Sequence, residues 1–158
     1  MKRLIKVQYK RRRQNKTDYS ARKTLLESGT TRLVIRKTNR YIIAQIVASK
    51  KAQDKVICSA FSKELVKYGL AETFSMKNLP DAYLTGYLCG KKAIKAGIKK
   101  AILDIGLIRS TKGNKIYAAV KGAIDSGLDI PCSEEILPKN EKIKIDIKIK
   151  EKIDAEAK

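Results

Sequence analysis

Arg32-Leu33-Val34-Ile35-Arg36-Lys37-Thr38-Asn39-Arg40-Tyr41-Ile42-Ile43-Ala44-Gln45-Ile46-Val47-Ala48 is the stretch on which the fold turns. Leu33-Val34-Ile35 on one side, and Ile42-Ile43 with Ile46-Val47 on the other, are residues that suit a pleated, half-buried surface. The two runs, Arg32–Thr38 and Tyr41–Ala48, are joined by Asn39-Arg40 alone, which predicts a tight hairpin without a glycine. A polar turn over Lys50–Lys55 leads to a third run, Val56–Phe61. The simplest product is an antiparallel meander of three strands.

Towards the C-terminus the period changes. Lys63–Tyr68 reads as a short helix closed by Gly69. From Asn78 to Ala96 the apolar residues Leu79, Tyr83, Leu84, Tyr87, Leu88 and Ile94 fall on one helical face, with Pro80 near the start and Gly97 at the end. Ala101–Ile105 is a short apolar run of the kind an interior strand carries, and Asn114–Ser126 is a further helix stopped by Gly127. Strand after helix, then helix again, predicts an α/β fold: one domain with a mixed sheet that starts with the meander and is covered by helices. Beyond it Ile143, Ile145, Ile147 and Ile149 alternate with charges, a strand period in a composition that also permits a helix, so no structure is assigned there.

Towards the N-terminus, Ser28-Gly29 closes a helix that Thr17 caps, with Asp18 in the first turn and a partly apolar face of Tyr19, Leu25 and Leu26. Residues 8–16 cannot bury themselves and read as an extended basic arm. The expected organisation is therefore an arm over 1–16, an α/β core over 17–132 and a tail over 133–158.

Lysine and arginine number 36 against 16 acids in 158 residues, a net charge of +20, while 43% hydrophobic residues are enough for a core. Such a surplus repels itself, so a polyanion is the natural partner. The charge is uneven: ten bases face one acid in residues 1–23, fifteen face five in 24–100, and eleven face ten in 101–158. The polyanion should meet the first two-thirds of the chain. Cys58, Cys89 and Cys132 are odd in number and far apart, which suits free thiols in a reducing cytoplasm. No apolar run approaches the roughly 18 residues of a membrane span, and the N-terminus lacks the apolar segment of a secretory signal.

Histidine is absent. That removes the commonest general base and metal ligand, and every triad that needs an imidazole. Gly90-Lys91-Lys92 lacks the earlier glycine and the hydroxyl residue of a phosphate loop. The expectation is no enzyme, no metal, no cofactor and no small-molecule substrate. A nuclease would need clustered carboxylates, and Asp104 has no evident partner in sequence.

The basic residues do carry chemistry. In Tyr9-Lys10-Arg11-Arg12-Arg13 the planar guanidinium groups can hold phosphates through paired hydrogen bonds, and Tyr9 and Tyr19 could stack on unpaired bases. Lys16 extends the run, and Arg22 and Lys23 follow one turn past the cap. Strand alternation puts Arg32 and Arg36 on one face, with Asn39 and Arg40 at the hairpin turn. Lys112, Asn114 and Lys115 sit in a polar loop at a helix N-terminus, where amides and dipole favour an anion. Charge alone does not separate RNA from DNA, so a generic nucleic-acid-binding protein is the alternative reading.

Several segments together resemble one family. Tyr9-Lys10-Arg11-Arg12-Arg13 with Lys16-Thr17-Asp18-Tyr19 and Arg22, then Arg32-Leu33-Val34-Ile35-Arg36 with Thr38-Asn39, then Gln45-Ile46-Val47, look like the universal ribosomal protein L-eighteen family in its archaeal and eukaryotic branch. Ala82-Tyr83-Leu84-Thr85-Gly86-Tyr87-Leu88, Leu103-Asp104-Ile105-Gly106-Leu107 and Lys121-Gly122-Ala123-Ile124-Asp125-Ser126-Gly127-Leu128-Asp129-Ile130-Pro131 continue the match in order. The resemblance implies a ribonuclease-H-like core and a structural constituent of the cytoplasmic large ribosomal subunit. It implies that the chain binds 5S ribosomal RNA and attaches it to 23S RNA in the central protuberance, beside ribosomal protein L-five and other central protuberance proteins. Carried over by position, the RNA-binding residues it implies are Arg11, Arg12, Arg13, Lys16, Thr17, Tyr19, Arg22, Arg36 and Asn39, with Lys112 and Asn114 in the later loop. Cys132 departs from the pattern, since many relatives have histidine there, and relatives in this branch often extend further at the C-terminus.

Overall fold

In the computed structural model, residues 7–50, 53–140, 143 and 146–157 are described. The meander forms as expected: β1 (Arg32–Lys37) and β2 (Ile42–Lys50) are antiparallel, as are β2 and β3 (Gln53–Phe61). β4 (Ile102–Asp104) runs parallel to β1, so the sheet is mixed, in the order β3-β2-β1-β4. The register sets Leu33 opposite Ile46 and Ile35 opposite Ala44, and all four are fully buried. Because strand side chains alternate, Arg32, Val34 and Arg36 must take the other face.

The helices α3 (Leu79–Lys95) and α4 (Lys115–Asp125) cover the apolar face. Pro80 lies in the first turn of α3, and the backbone N–H of Asn78 donates to the Asp81 carboxylate at 3.2 Å, completing the start of the helix. The two helices touch backbone to backbone. A Cβ on Gly86 would lie 1.9 Å from the Ala119 carbonyl oxygen, and one on Gly122 would lie 2.0 Å from that of Tyr83. No side chain larger than hydrogen fits at either crossing point. Gly90 is one turn further along α3, so Gly90-Lys91-Lys92 lies within the expected helix: Lys91 pairs with Asp154 at 2.8 Å and Lys92 with Glu64 at 2.6 Å.

Four expectations need correction. First, residues 53–55 are the last rungs of β2 and β3 rather than a turn, with Lys50 opposite Gln53 and Ser49 opposite Asp54. They pair because Asp54 is neutralised, accepting from the Ser49 hydroxyl at 2.6 Å and from Arg32 at 2.8 Å; residues 51 and 52 lie outside the described residues. Second, β4 borders the described sheet instead of lying inside it. Its apolar character has a different cause: Ala101 enters the core while Leu103 floors a groove. Third, Asp18 and not Thr17 caps α2 (Tyr19–Glu27), accepting from the Ser20 and Ala21 N–H groups at 2.9 and 3.3 Å. Fourth, residues 8–16 are not simply extended, for Lys10–Arg13 form one helical turn, α1.

The segment set apart as a tail also joins the core. Ile147–Ala157 form α5, whose Ile149 and Ile153, four apart, are buried with Ile143, while Ile147 is exposed. The i, i+4 spacing of apolar residues therefore overrides the alternation that pointed to a strand; Ile145 lies outside the described residues. A 3₁₀ helix over Ser62–Tyr68, closed by Gly69, occupies the short-helix position expected before α3. No described helix is long and apolar enough to cross a membrane. Cys58, Cys89 and Cys132 are free thiols, Cys89 buried and the other two half-buried.

Candidate nucleic-acid interface

The sheet face that α3 and α4 leave open is built around two acids and three arginines. Asp104, at the end of β4, accepts from Arg32 at 2.7 Å and from Arg36 at 2.8 Å, one through each carboxylate oxygen, and also from the Gly106 N–H at 3.0 Å. Arg32 reaches Asp54 with its other nitrogen, and Asp54 in turn holds Arg22 of α2 at 2.9 Å. The chain of ion pairs runs β4, β1, β3, α2. Among described side chains buried in the fold, none that could hydrogen-bond is left without a partner.

Arg36 is oriented most tightly. Its Nη1 donates to the carbonyls of Ile35 (2.9 Å) and Asp104 (2.7 Å), and its Nη2 donates to the Asp104 carboxylate, so Nε–H and one Nη2–H are left for a ligand. Its guanidinium lies against Gly106, where φ is +63° and an added Cβ would sit 3.1 Å from the Arg36 Cζ. A left-handed residue without a side chain is what that contact requires.

Between this edge and the arm lies a groove of about 730 Å³. Arg11, Lys16, Thr17 and Arg22 line one side, Arg36 and Lys37 the other, and Leu25, Leu103, Ile105, Leu107 and Ile108 form an apolar floor. The arm is folded back onto the start of α2: Arg11 Nε donates to the Thr17 hydroxyl at 2.9 Å, and the Tyr9 and Tyr19 rings meet with centroids 5.2 Å apart. Thr17 is thus engaged by Arg11, which leaves capping to Asp18. Five cations around an apolar floor can hold a phosphate chain at the rim while a base or sugar covers the floor.

Of the residues singled out from the sequence, Arg11, Lys16, Thr17, Arg22 and Arg36 come together at this groove. Lys10, Arg12 and Arg13 are exposed on α1 outside it, as is Tyr9, and Lys23 faces away, 3.5 Å from Glu27. Asn39 is at the exposed hairpin tip. Lys112 lies 3.6 Å from Glu135, with Asn114 and Lys115 at the start of α4, beyond the groove lining. Arg32 is the exception: it is 2% exposed and closed in by Asp104 and Asp54, so it braces the sheet rather than meeting a ligand. The floor was not legible in advance. Leu107, three residues past the end of β4, is 54% exposed in the structure.

α2 has no buried residue, so the Arg22–Asp54 pair is a principal tie to the sheet. Burial pushes the Asp54 carboxyl up, but the Ser49 hydroxyl and the Arg22 and Arg32 guanidinium groups outweigh it, leaving it below its ordinary 3.8. A carboxyl depressed in the folded state stabilises it above the unfolded value, and that contribution is lost as pH falls through the folded one. Protection of the α2 amides, their exchange relative to that of an unfolded chain at the same pH, should therefore hold steady down to the ordinary 3.8 and fall below it. Asp54→Asn should lower that protection about fivefold at neutral pH, as expected of a partly exposed pair. Unchanged α2 exchange in the variant would mean that the pair does not dock the helix.

Comparison with known proteins now bears on this surface. The chain matches, over residues 3–99 and 95–133, the family described as "Ribosomal large subunit proteins 60S L5, and 50S L18". It is 55% identical over 139 residues to the large ribosomal subunit protein uL18 of Korarchaeum cryptofilum, covering 88% of this chain and 70% of that one. To the uL18 of Methanothermobacter thermautotrophicus it is 48% identical, over 88% of this chain and 71% of that one. To the uL18 of Methanoculleus marisnigri it is 49% identical, over 87% and 78%.

Proposed function

The chain belongs to the uL18 family of large-subunit ribosomal proteins, in an archaeal form, and from that premise we propose that it binds 5S ribosomal RNA and attaches it to 23S RNA in the central protuberance. The observation that carries this reading is the groove in which Arg11, Lys16, Arg22, Arg36 and Lys37 surround an apolar floor. A cationic rim neutralises phosphates, and an apolar floor receives the flat surface of an unpaired nucleotide, a combination suited to folded RNA. Ribosomal protein L-five and further central protuberance proteins are its expected neighbours, in the cytoplasmic ribosome.

The protein's part is positional. Asp104 and Asp54 hold Arg36 and Arg22 at fixed points on either side of the groove, so the RNA meets donors that are already oriented. No bond is made or broken. Both oxygens of Asp104 are engaged by guanidinium groups, which leaves that carboxylate unsuited to hold a catalytic metal.

Competition decides between this reading and a generic nucleic-acid binder. The purified protein should retain labelled 5S RNA against an excess of duplex DNA of the same length. Displacement by equimolar duplex DNA would show that charge alone governs binding, and the 5S assignment would fall.

A further inference from the structure

The chain has only two phenylalanines, and neither is in the buried core. Both are at the hairpin end of the sheet. Phe74, in the loop between the 3₁₀ helix and α3, is 78% exposed, and the Arg40 guanidinium lies over its ring at 4.2 Å. Phe61, at the end of β3, meets Tyr41 of the hairpin with centroids 4.8 Å apart. Leaving a large apolar ring in water is unfavourable, and packing under one guanidinium does not remove most of that exposure.

The loop is nonetheless held in place. Met76 bridges to Tyr41, and Lys77 donates through Nζ to the Asn39 carbonyl at the hairpin tip. The surroundings are cationic: Lys37 and Arg40 are exposed and Lys77 is half-buried, while Glu72, the acid in the loop, lies 3.7 Å from Lys63. Arg40 covers one face of the Phe74 ring, and the remaining exposure leaves the other accessible.

We infer that Phe74 and Arg40 form a stacking platform for an unpaired RNA base, with Lys37 and Lys77 placed for its flanking phosphates. An aromatic face backed by a guanidinium accepts any base, and cations beside it supply the charge that RNA requires. A protein partner would also cover an exposed ring, but the cationic border favours the polyanion. The platform lies past Lys37 from the groove, which leaves two sources for the base: the 5S RNA itself, continuing around the hairpin, or a second RNA segment. The inference rests on the RNA-binding reading for the class of ligand and shares Lys37 alone with the groove.

The test uses Phe74→Leu, which keeps an apolar side chain but loses the flat ring, and Phe74→Trp, which keeps a ring. Melting temperatures establish that each variant folds. One arm measures 5S RNA affinity by filter binding; a second titrates a labelled ten-nucleotide unpaired RNA onto protein saturated with 5S RNA. Stacking predicts that Phe74→Leu weakens one of the two by about five- to a hundredfold while Phe74→Trp retains binding. Arg40→Ala should fall in the same arm. Loss in the first arm identifies the 5S RNA as the source, and loss in the second alone identifies a separate segment. If both arms are unchanged in Phe74→Leu, or if Phe74→Trp loses as much as Phe74→Leu, the platform is refuted. Should 5S RNA fail to bind at all, the labelled oligonucleotide titrated onto the free protein still reads the dependence on Phe74.

Discussion

Replacing Arg11, Arg12 and Arg13 together by alanine is expected to lower affinity for 5S RNA by roughly 10³-fold at moderate salt. Hydrogen bonds from charged donors contribute about 1.5–3 kcal/mol each, so three such residues together exceed about 4 kcal/mol. The change should also alter the salt response. A protein neutralising about six to ten phosphates loses roughly 10³-fold or more between 50 and 200 mM salt, and removing three cations flattens the logarithmic slope by about two to three units. The fold should survive, because α1 buries none of its residues and the Arg11 side-chain bond to Thr17 is an exposed one. Replacing the same three by lysine separates charge from geometry: the slope should stay, while affinity falls for want of the planar fork. An unchanged gel-shift titration for the triple alanine variant would remove the arm from the mechanism.

The second large effect is on stability. Asp104→Ala should destabilise the protein by about 3 kcal/mol, because removing one partner of a buried pair leaves the other charge uncompensated. Here Asp104 serves two arginines at once, and Arg32 is 2% exposed with Asp54 and Ser49 its remaining side-chain partners among the described residues. For a chain of this size that corresponds to a fall of about 6–12 °C in melting temperature. Asp104→Asn keeps the volume and loses the charge, so it should fall in the same direction. Asp104→Ala takes away the carboxylate acceptor of Arg36 and leaves its two carbonyl acceptors, whereas Asp104→Asn keeps one oxygen, enough for one of the two arginines. 5S affinity should then drop even where the protein is still folded. A variant that melts like the parent would show that the two guanidinium groups find water instead.

Particular residues show where reading from the sequence succeeds. Leu33 and Ile35 alternate with Arg32 and Arg36, and that period of two puts the apolar pair against the helices and the arginines on the opposite face. The meander, α3 and α4 follow from such patterns, and Gly69 and Gly127 stop helical segments where expected. The tail resisted the same treatment, because Ile143 to Ile149 alternate like a strand in a composition that also permits a helix, and packing against α3 and the 3₁₀ helix selects the helix.

The basic character of the candidate site was legible and its arrangement was not. Basic residues in the first two-thirds of the chain, with no histidine anywhere, point to a polyanion and away from imidazole chemistry whatever the fold. Local pattern fixes periodicity, charge and turn chemistry, since these depend on neighbours a few positions away. Which arginine faces a ligand depends on partners far off in the chain. Arg32 and Arg36 share a strand face and a residue type, yet one is enclosed by Asp104 and Asp54 while the other keeps two donors free. Seventy-two positions separate Arg32 from Asp104, and no periodicity reaches that distance; only the parallel pairing of β4 with β1 brings them together.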